Sequence, residues 1–517
     1  MTAADTDPAA PHSDTQTTSD IRILARGGTL AVAGLALGAV LQFLVVIAIT
    51  RGLEKGTAGA VLEAIAFFTI ASNAANLGAE VGVVRDVPKL VGEGRVGDVR
   101  RLLVTASWPP AALGLLLAIV AFAAAVPLAD AVFDTAHRGA GASYIRIVAF
   151  GLPLASLTAI ALAATRGFGT MVPYVAIQNF VLPALRVLLV VAAVAAGLGG
   201  AWVLLGWTLP IAATAGAAVV ALRRLVLRRE AESPPAPAGR VDAGAFWRFA
   251  APRAVASIFE ITVLMLDVVL VGALRSAREA AVYAAASRLV LFGGFLLLTV
   301  SRPLAPEFSR LFSRGEVGTA GSLYHIATWW GMLAAWPLYI TFAVFAAPVM
   351  NIFGPGFSAG ATTLVILSLA YMFDLGTGNM NLLLLMSGKS SLNLANSGLA
   401  LALNVGLNFA LIPPLGIKGA AIAWAVSIVA YNLAAAVEIR VLFGLGLVSS
   451  EYPLVVAATV ASYGVVGLIA RFLVGDSIVG LLVSVAVGSV LYLSLLRRWR
   501  TALRLSDLAT AVRPSSA

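Results

Sequence analysis

Apolar runs of roughly twenty residues follow one another along the whole chain, separated by short breaks rich in glycine, proline and charge. A run of that length crosses a hydrocarbon core of about 30 Å at ~1.5 Å rise per residue. Fourteen such helices are expected, over 28–50, 57–80, 102–126, 144–165, 173–196, 201–222, 251–274, 280–301, 326–350, 362–386, 390–412, 417–437, 453–473 and 477–496. An even number puts both termini on one side of the membrane. The breaks between 354 and 440 hold only a few residues, which makes tight hairpins of the helices there. The run 390–412 carries Asn393, Asn396, Asn404 and Asn408. At about 100° per residue these fall on one face. Hydrocarbon offers an amide no partner, so that face is expected to look at other helices or at a water-filled cavity.

Composition supports the pattern. The chain is 60% apolar and 12% charged, with a mean hydropathy of +0.95. A soluble domain carries roughly twice that charge fraction. The fold class is therefore an all-α polytopic membrane protein. The absence of cysteine excludes disulfides and thiolate metal sites. The net charge of +10 calls for no nucleic acid, because the distribution of the basic residues explains it. With the N-terminus inside, 25 of the 35 Lys and Arg fall in cytosolic segments and 7 in loops on the opposite side. The positive-inside rule thus places both termini in the cytosol of a multi-pass plasma (inner) membrane protein.

The chain also repeats. Gly94-Arg-Val-Gly97 matches Gly315-Glu-Val-Gly318, and Gly197-Leu-Gly-Gly-Ala201 matches Gly416-Ile-Lys-Gly-Ala420, at nearly equal offsets and equivalent places in the helix count. Six helices per repeat enter the membrane from the same side, so the repeats are parallel and a site between them is expected. The organisation is a disordered cytosolic tail (1–21), a six-helix lobe (22–222), a cytosolic linker containing Pro234-Pro235-Ala-Pro237 (223–250), a second six-helix lobe (251–440), helices 13 and 14 (441–500) and a cytosolic tail (501–517).

Ionisable and amide side chains within the spans are functional candidates, because each costs roughly 2.5–3.5 kcal/mol at membrane depth when charged. Arg186 is the deepest basic residue, with Asn179 seven residues earlier and Pro183 between them. It is expected to touch substrate or to sit in a buried ion pair. Asp267 and Arg288 lie at one depth on adjacent antiparallel helices and are expected to pair, with Glu260 on the Asp267 face. Asp374 stands near mid-depth with Asn381 seven residues on. Asn73, Asn76 and Glu80 form a stripe on the second helix. Such amide stripes serve helix–helix hydrogen bonding or cavity lining. Arg166 and the other arginines at helix ends are read as topology signals. The substrate-binding candidates are Arg186, Asn179, Arg288, Asp267, Glu260, Asp374, Asn76, Glu80, Asn404 and Asn408. The three histidines are far apart, and no catalytic constellation, phosphate loop or metal spacing occurs.

Thr50-Arg-Gly-Leu53 with Gly56-Thr-Ala-Gly59, Asn76-Leu-Gly-Ala-Glu-Val-Gly-Val-Val-Arg85, Leu266-Asp-Val-Val-Leu-Val-Gly272, Tyr283-Ala-Ala-Ala-Ser-Arg288 and Gly416-Ile-Lys-Gly-Ala-Ala-Ile-Ala-Trp424 together resemble polysaccharide and oligosaccharide-lipid flippases. That family belongs to the exporter superfamily that also holds multidrug extruders and lipid II flippases. The resemblance spans roughly 22–500. It implies two six-helix lobes in a V plus two further helices that help house a lipid tail. It implies export of a lipid-linked oligosaccharide or polysaccharide precursor across the plasma membrane by alternating access, with membrane lipids and cell-envelope glycan assembly proteins as partners. No cofactor is expected, and a coupling ion, H⁺ or Na⁺, is left open. A cation-coupled multidrug antiporter or lipid II flippase of the same fold is the alternative. A membrane-embedded glycosyltransferase or polymerase is the alternative of another class, and Asp130 and Asp134 are the only carboxylates in the longest outside loop to support it.

The topology is testable directly. Single cysteines at Ser13, Ser233 and Ser515 are expected to resist an impermeant thiol reagent in intact cells and to react after lysis. Labelling of Ser233→Cys in intact cells would invert the orientation.

Overall fold

A computed structural model describes residues 34–232, 239, 241–301, 304–446 and 448–503. The expected tails at 1–21 and beyond 503, and the proline cluster 234–237, lie outside the described residues. Among the described residues twelve helices are long and apolar enough to cross a membrane. In chain order the spans are α1 (Gly34–Gly52), α2 (Lys55–Ala75), α3 (Val96–Ala123), α4 (Arg138–Gly167), α5 (Val172–Ala195), α6 (Gly200–Glu232), α7 (Ala243–Leu274), α8 (Ala277–Ser301), α9 (Val317–Val344), α10 (Phe357–Thr377), α11 (Ser390–Leu415), α12 (Ile417–Phe443), α13 (Tyr452–Val474) and α14 (Ile478–Arg498). The two beyond the twelve are α9, which joins Ala346–Phe353 at a bend of 96°, and α8, which is 25 residues long. A helix lies at each of the fourteen expected positions, and twelve of them, or thirteen with the bent pair, are long and apolar enough to cross. α1 to α6 and α7 to α12 form two lobes, and α13 and α14 pack beside α9.

The internal repeat is visible in backbone geometry. The α5–α6 and α11–α12 turns open on Gly197 (φ 67°) and Gly416 (φ 58°), a left-handed conformation that side chains disfavour. Three residues on, Gly200 lies against the Tyr144 hydroxyl and Gly419 against the Leu411 carbonyl, each too close for a side chain. The matching glycines thus serve the same two purposes in each repeat: a sharp turn and a close approach.

Two boundaries differ from the expectation. Residues 223–232 continue α6 and 243–250 begin α7, so both ends of the linker expected at 223–250 are helical. The stretch Leu222 to Glu232 holds good helix formers and no breaker, which is why the helix runs on past the apolar span. Gly239 is held to the first lobe, where its N–H donates to Asp98 (3.0 Å) and its carbonyl accepts from Arg101 (3.0 Å). Phe246 and Ala250 of α7 also pack into a first-lobe cluster with Val83 and Val87. The start of α7 therefore belongs with the first lobe, and only its later part with the second. Helix α2 is also divided. It ends at Ala75, Leu77 and Gly78 turn through positive φ (49° and 66°), and Ala79–Gly92 resumes as a separate helix. Gly78 sits against the Ala250 backbone, where a Cβ would intrude.

The lobes meet tightly on the face away from the basic loops. Glu54 bonds Arg278 (2.7 Å), and Arg51 donates to the Ile352 carbonyl (2.6 Å). Asp134 accepts from the Ala277 N–H at the start of α8 (2.9 Å) and from His137. Burial works against the Asp134 charge, but the Ala277 amide and His137 outweigh it and hold the carboxyl below the usual aspartate range. A depressed native pKa means that this stability is present above the ordinary aspartate value and is lost as pH falls through the native one. Beneath this rim Gly59 touches the Ala277 carbonyl, and Gly272 makes room for the fully buried Glu63. The far face is sealed.

Gly419→Ala is expected to destabilise the protein by about 1–3 kcal/mol, because its Cβ would overlap the Leu411 carbonyl. Gly406→Ala, where a Cβ meets open space, is expected to leave stability unchanged or slightly raised. Thermal unfolding in detergent compares them, and equal melting temperatures would refute the close-approach role of Gly419.

Candidate functional site

The lobes enclose a cavity of about 740 Å³, lined by α1, α2, α4, α5 and α6 of the first lobe and α7 and α8 of the second. It runs from mid-membrane to the basic-face ends of α2, α4 and α5, where Asn76, Glu80, Arg166 and Tyr174 line it. Three arginines face it, Arg166, Arg186 and Arg288, against a single carboxylate, Glu80. Gln42, Asn73, Asn76 and Gln178 add amides.

None of these arginines lies within 4 Å of a carboxylate among the described residues. Arg186 is 6% exposed. Its Nε donates to the Trp207 carbonyl at 3.0 Å, and its guanidinium lies 3.7 Å from the centre of the Trp207 ring. Phe68 holds that ring edge-on from α2 (5.3 Å, 85°). Trp207 can lie beside Arg186 because Gly206 lets α6 close onto the Leu189 backbone of α5. Arg288 reaches from the other lobe, with Nη2 3.5 Å from the Met265 sulfur. Arg166 lies over the Tyr174 ring (4.7 Å), and its Nε is buried without a partner. By helical rise Arg186 is about 14 Å and Arg288 about 17 Å from the far-face ends of their helices. They stand at one depth on opposite lobes.

The carboxylates of the second lobe are held differently. Asp267 is 1% exposed and accepts from Tyr283 (2.5 Å), Asn404 (3.1 Å) and Asn408 (2.7 Å). Asp374 accepts from Asn432 (2.8 Å), and Glu438 from Asn396 (2.8 Å). Tyr431 donates to Asn393 (3.4 Å). The amide face of α11 thus looks at α7 and α12, and each of its four amides meets a polar group there.

Of the ten expected site residues, the cavity gathers Arg186, Arg288, Asn76 and Glu80. Asp267, Asn404 and Asn408 form the separate buried cluster, Asp374 lies with Asn432, and Glu260 is exposed outside the cavity. The expected Asp267–Arg288 pair is absent. The two share a depth, but Asp267 turns toward α11 whereas Arg288 turns into the cavity, and depth alone does not set rotation about the helix axis. Asn179 is the other displacement. Residues Val175–Val181 form a π-helical turn just before Pro183, which has no N–H for the Asn179 carbonyl. The wider turn rotates Asn179 out of register with Arg186 and onto α1, where its carbonyl meets Gly38. Arg166, which reads from sequence as a topology charge, is instead part of the cavity. Its only signal there was a tyrosine eight residues on.

A family model described as polysaccharide biosynthesis protein matches residues 24–312. No curated protein matches the chain. Among solved structures, the chain is similar to the lipid II flippase MurJ in an inward closed conformation, with a TM-score of 0.67 at 11% identity over 95% of this chain and 100% of that one. It is similar to an inward-facing multidrug resistance MATE family transporter, with a TM-score of 0.65 at 14% identity over 78% of this chain and 94% of that one. A third, a MOP superfamily transporter from Pyrococcus furiosus described as having a binding pocket of reversed polarity, gives a TM-score of 0.55 at 15% identity, covering 82% and 98%. Similarity at this identity establishes the shared fold.

Because no ion pair joins them, exchanging Asp267 and Arg288 is expected to recover nothing over the single changes. Asp267→Ala alone leaves the Asn404 and Asn408 amides and the Tyr283 hydroxyl without an acceptor, at roughly 1–3 kcal/mol for each group. A melting temperature restored by the exchange would reinstate the pair.

Proposed function

The chain belongs to the polysaccharide biosynthesis protein family, and from that premise we propose that it flips a lipid-linked oligosaccharide or polysaccharide precursor across the plasma membrane. The observation that carries this reading is the set of three cavity arginines with no carboxylate partner. A guanidinium withdrawn from water without an anion is costly, and a substrate phosphate supplies the missing charge through paired donors. Arg186 and Arg288 approach one depth from opposite lobes, which suits a pyrophosphate held between them. Gln42, Asn73 and Gln178 suit glycan hydroxyls. The basic face is cytosolic by the positive-inside rule. The cavity then takes its substrate from the cytosol, and rocking of the lobes delivers it outward. One structural relative is named as a lipid II flippase, which supports a lipid cargo. A multidrug antiporter for cationic drugs would require the opposite cavity charge. We read transport rather than catalysis, because the cavity presents cations and amides.

Arg186→Gln is expected to lower flipping roughly ten- to hundredfold, the range of one lost charge-assisted contact. Arg186→Lys keeps the charge but loses the planar fork and is expected to retain part of the rate. The assay is outer-leaflet accessibility of the lipid-linked glycan in cells lacking the native protein, at matched membrane levels. Full flipping by Arg186→Gln would remove this residue from the site.

A further inference from the structure

Arg166 is not within reach of a pyrophosphate held by Arg186 and Arg288. Its guanidinium lies over Tyr174, twelve residues before Arg186 on α5. That separation is roughly 18 Å along the helix, too far for two linked phosphates to span. Nor does Arg166 behave like a loop charge of the basic face. Arg100 bonds Glu230 and Arg101 bonds the Gly239 carbonyl at the surface. Arg166 is half-buried and lines the cavity, and its Nε is withdrawn from water with no acceptor. Tyr174 fixes its plane from one side. Gln178, one turn along α5 from Tyr174, lines the same cavity, as does Asn76, whose Oδ1 is also buried without a partner. Glu80 lines the same end without entering an ion pair. An arginine with an unmet donor and a flat aromatic beneath it, in a cavity that also presents amides, suits a carboxylate carried on a hydroxyl-rich ring.

We propose that the cytosolic end of the cavity is a second anion subsite, in which Arg166 binds the carboxylate of an acidic sugar on the cargo while Arg186 and Arg288 hold its pyrophosphate. The carrier then selects acidic oligosaccharides over neutral ones of equal length. This rests on the transport reading above and names the substrate class for it. A polyprenyl-pyrophosphate tetrasaccharide with one glucuronic acid and its all-neutral counterpart separate the two questions, in proteoliposomes holding the full chain. The wild type is expected to flip the acidic carrier about tenfold faster. Arg166→Gln is expected to bring that ratio close to one by slowing only the acidic carrier. Arg166→Lys keeps the charge and is expected to retain part of the preference, so it tests the subsite even where the glutamine variant inserts poorly. Equal rates for the two carriers in the wild type would overturn the subsite while leaving the transport reading intact. Equal slowing of both carriers by Arg166→Gln would also overturn it, and would make Arg166 a contact for the shared pyrophosphate in passage. Movement of neither carrier by the wild type would defeat the transport reading and the subsite with it.

Discussion

A guanidinium inside a membrane protein must replace its water, and Arg186 does so with a tryptophan face and a backbone carbonyl instead of a carboxylate. That substitution governs the rest of the molecule. A desolvated cation over an indole gains about 2 kcal/mol, and a charge-assisted hydrogen bond a similar amount. Together they make the charge tolerable without cancelling its field. An ion pair would have made the same charge more stable and less useful to an anion. The second lobe follows the converse logic. Its carboxylates, the buried Asp267 and the half-buried Asp374 and Glu438, accept from asparagine amides and are not paired with the cavity arginines. Opposite charges occur at comparable depths in one molecule, and the helix rotations keep them apart.

Keeping them apart needs a backbone of particular shape. The break at Leu77 and Gly78 separates Ala79–Gly92 from α2, and Asn76 and Glu80 on its two sides both line the cavity. The close approach of α6 to α5 at Gly206 brings Trp207 to Arg186. On the far face, Gly59 lets α2 meet the Ala277 backbone, Gly272 makes room for the Glu63 side chain, and Glu54, Asp134 and Arg51 fasten the rim above them. Rim contacts of this kind are exposed and individually weak, typically 0–1 kcal/mol. The seal is therefore tight in packing yet cheap in electrostatics to undo, which is what a face that must open requires.

Much of this was legible in the sequence where a one-dimensional rule governs. Span length is set by bilayer thickness, so all fourteen helices could be read from apolar runs. The Gly197 and Gly416 turns repeat because each needs a residue at positive φ and, three residues on, one without a side chain, and glycine supplies both. What failed was rotation about helix axes. Asp267 and Arg288 were placed correctly in depth, but which way each points depends on neighbours brought in by α11 and the other lobe. Asn179 failed because a π turn changes the residue count per turn, and the effect of Pro183 on the preceding turn was not foreseen in that form. Arg166 was hidden by its position at a helix end, where topology and function use the same residue type. The ends of α6 and α7 were misplaced because a helix can continue into water after its apolar span has ended.

The placement of Arg186 and Arg288 on opposite lobes bears on how binding becomes movement. A ligand shifts a conformational equilibrium only by the difference in its affinity for the two states. An anion held by one lobe alone would ride with it and bias nothing. One that touches both lobes loses a contact when they separate, so the same arginines that capture it make its affinity depend on conformation. Loss of one charge-assisted contact is worth roughly 1.5–3 kcal/mol, or about ten- to a hundredfold in affinity. That is enough to turn a binding site into a releasing one without a new group entering the cavity. The arginines must remain unpaired within the protein for this to work, since a resident carboxylate would keep the contact in both states. On the proposed reading, the lack of ion pairs in the cavity is thus a requirement of moving an anion, and it accounts for Arg186 and Arg288 standing at one depth without a carboxylate partner.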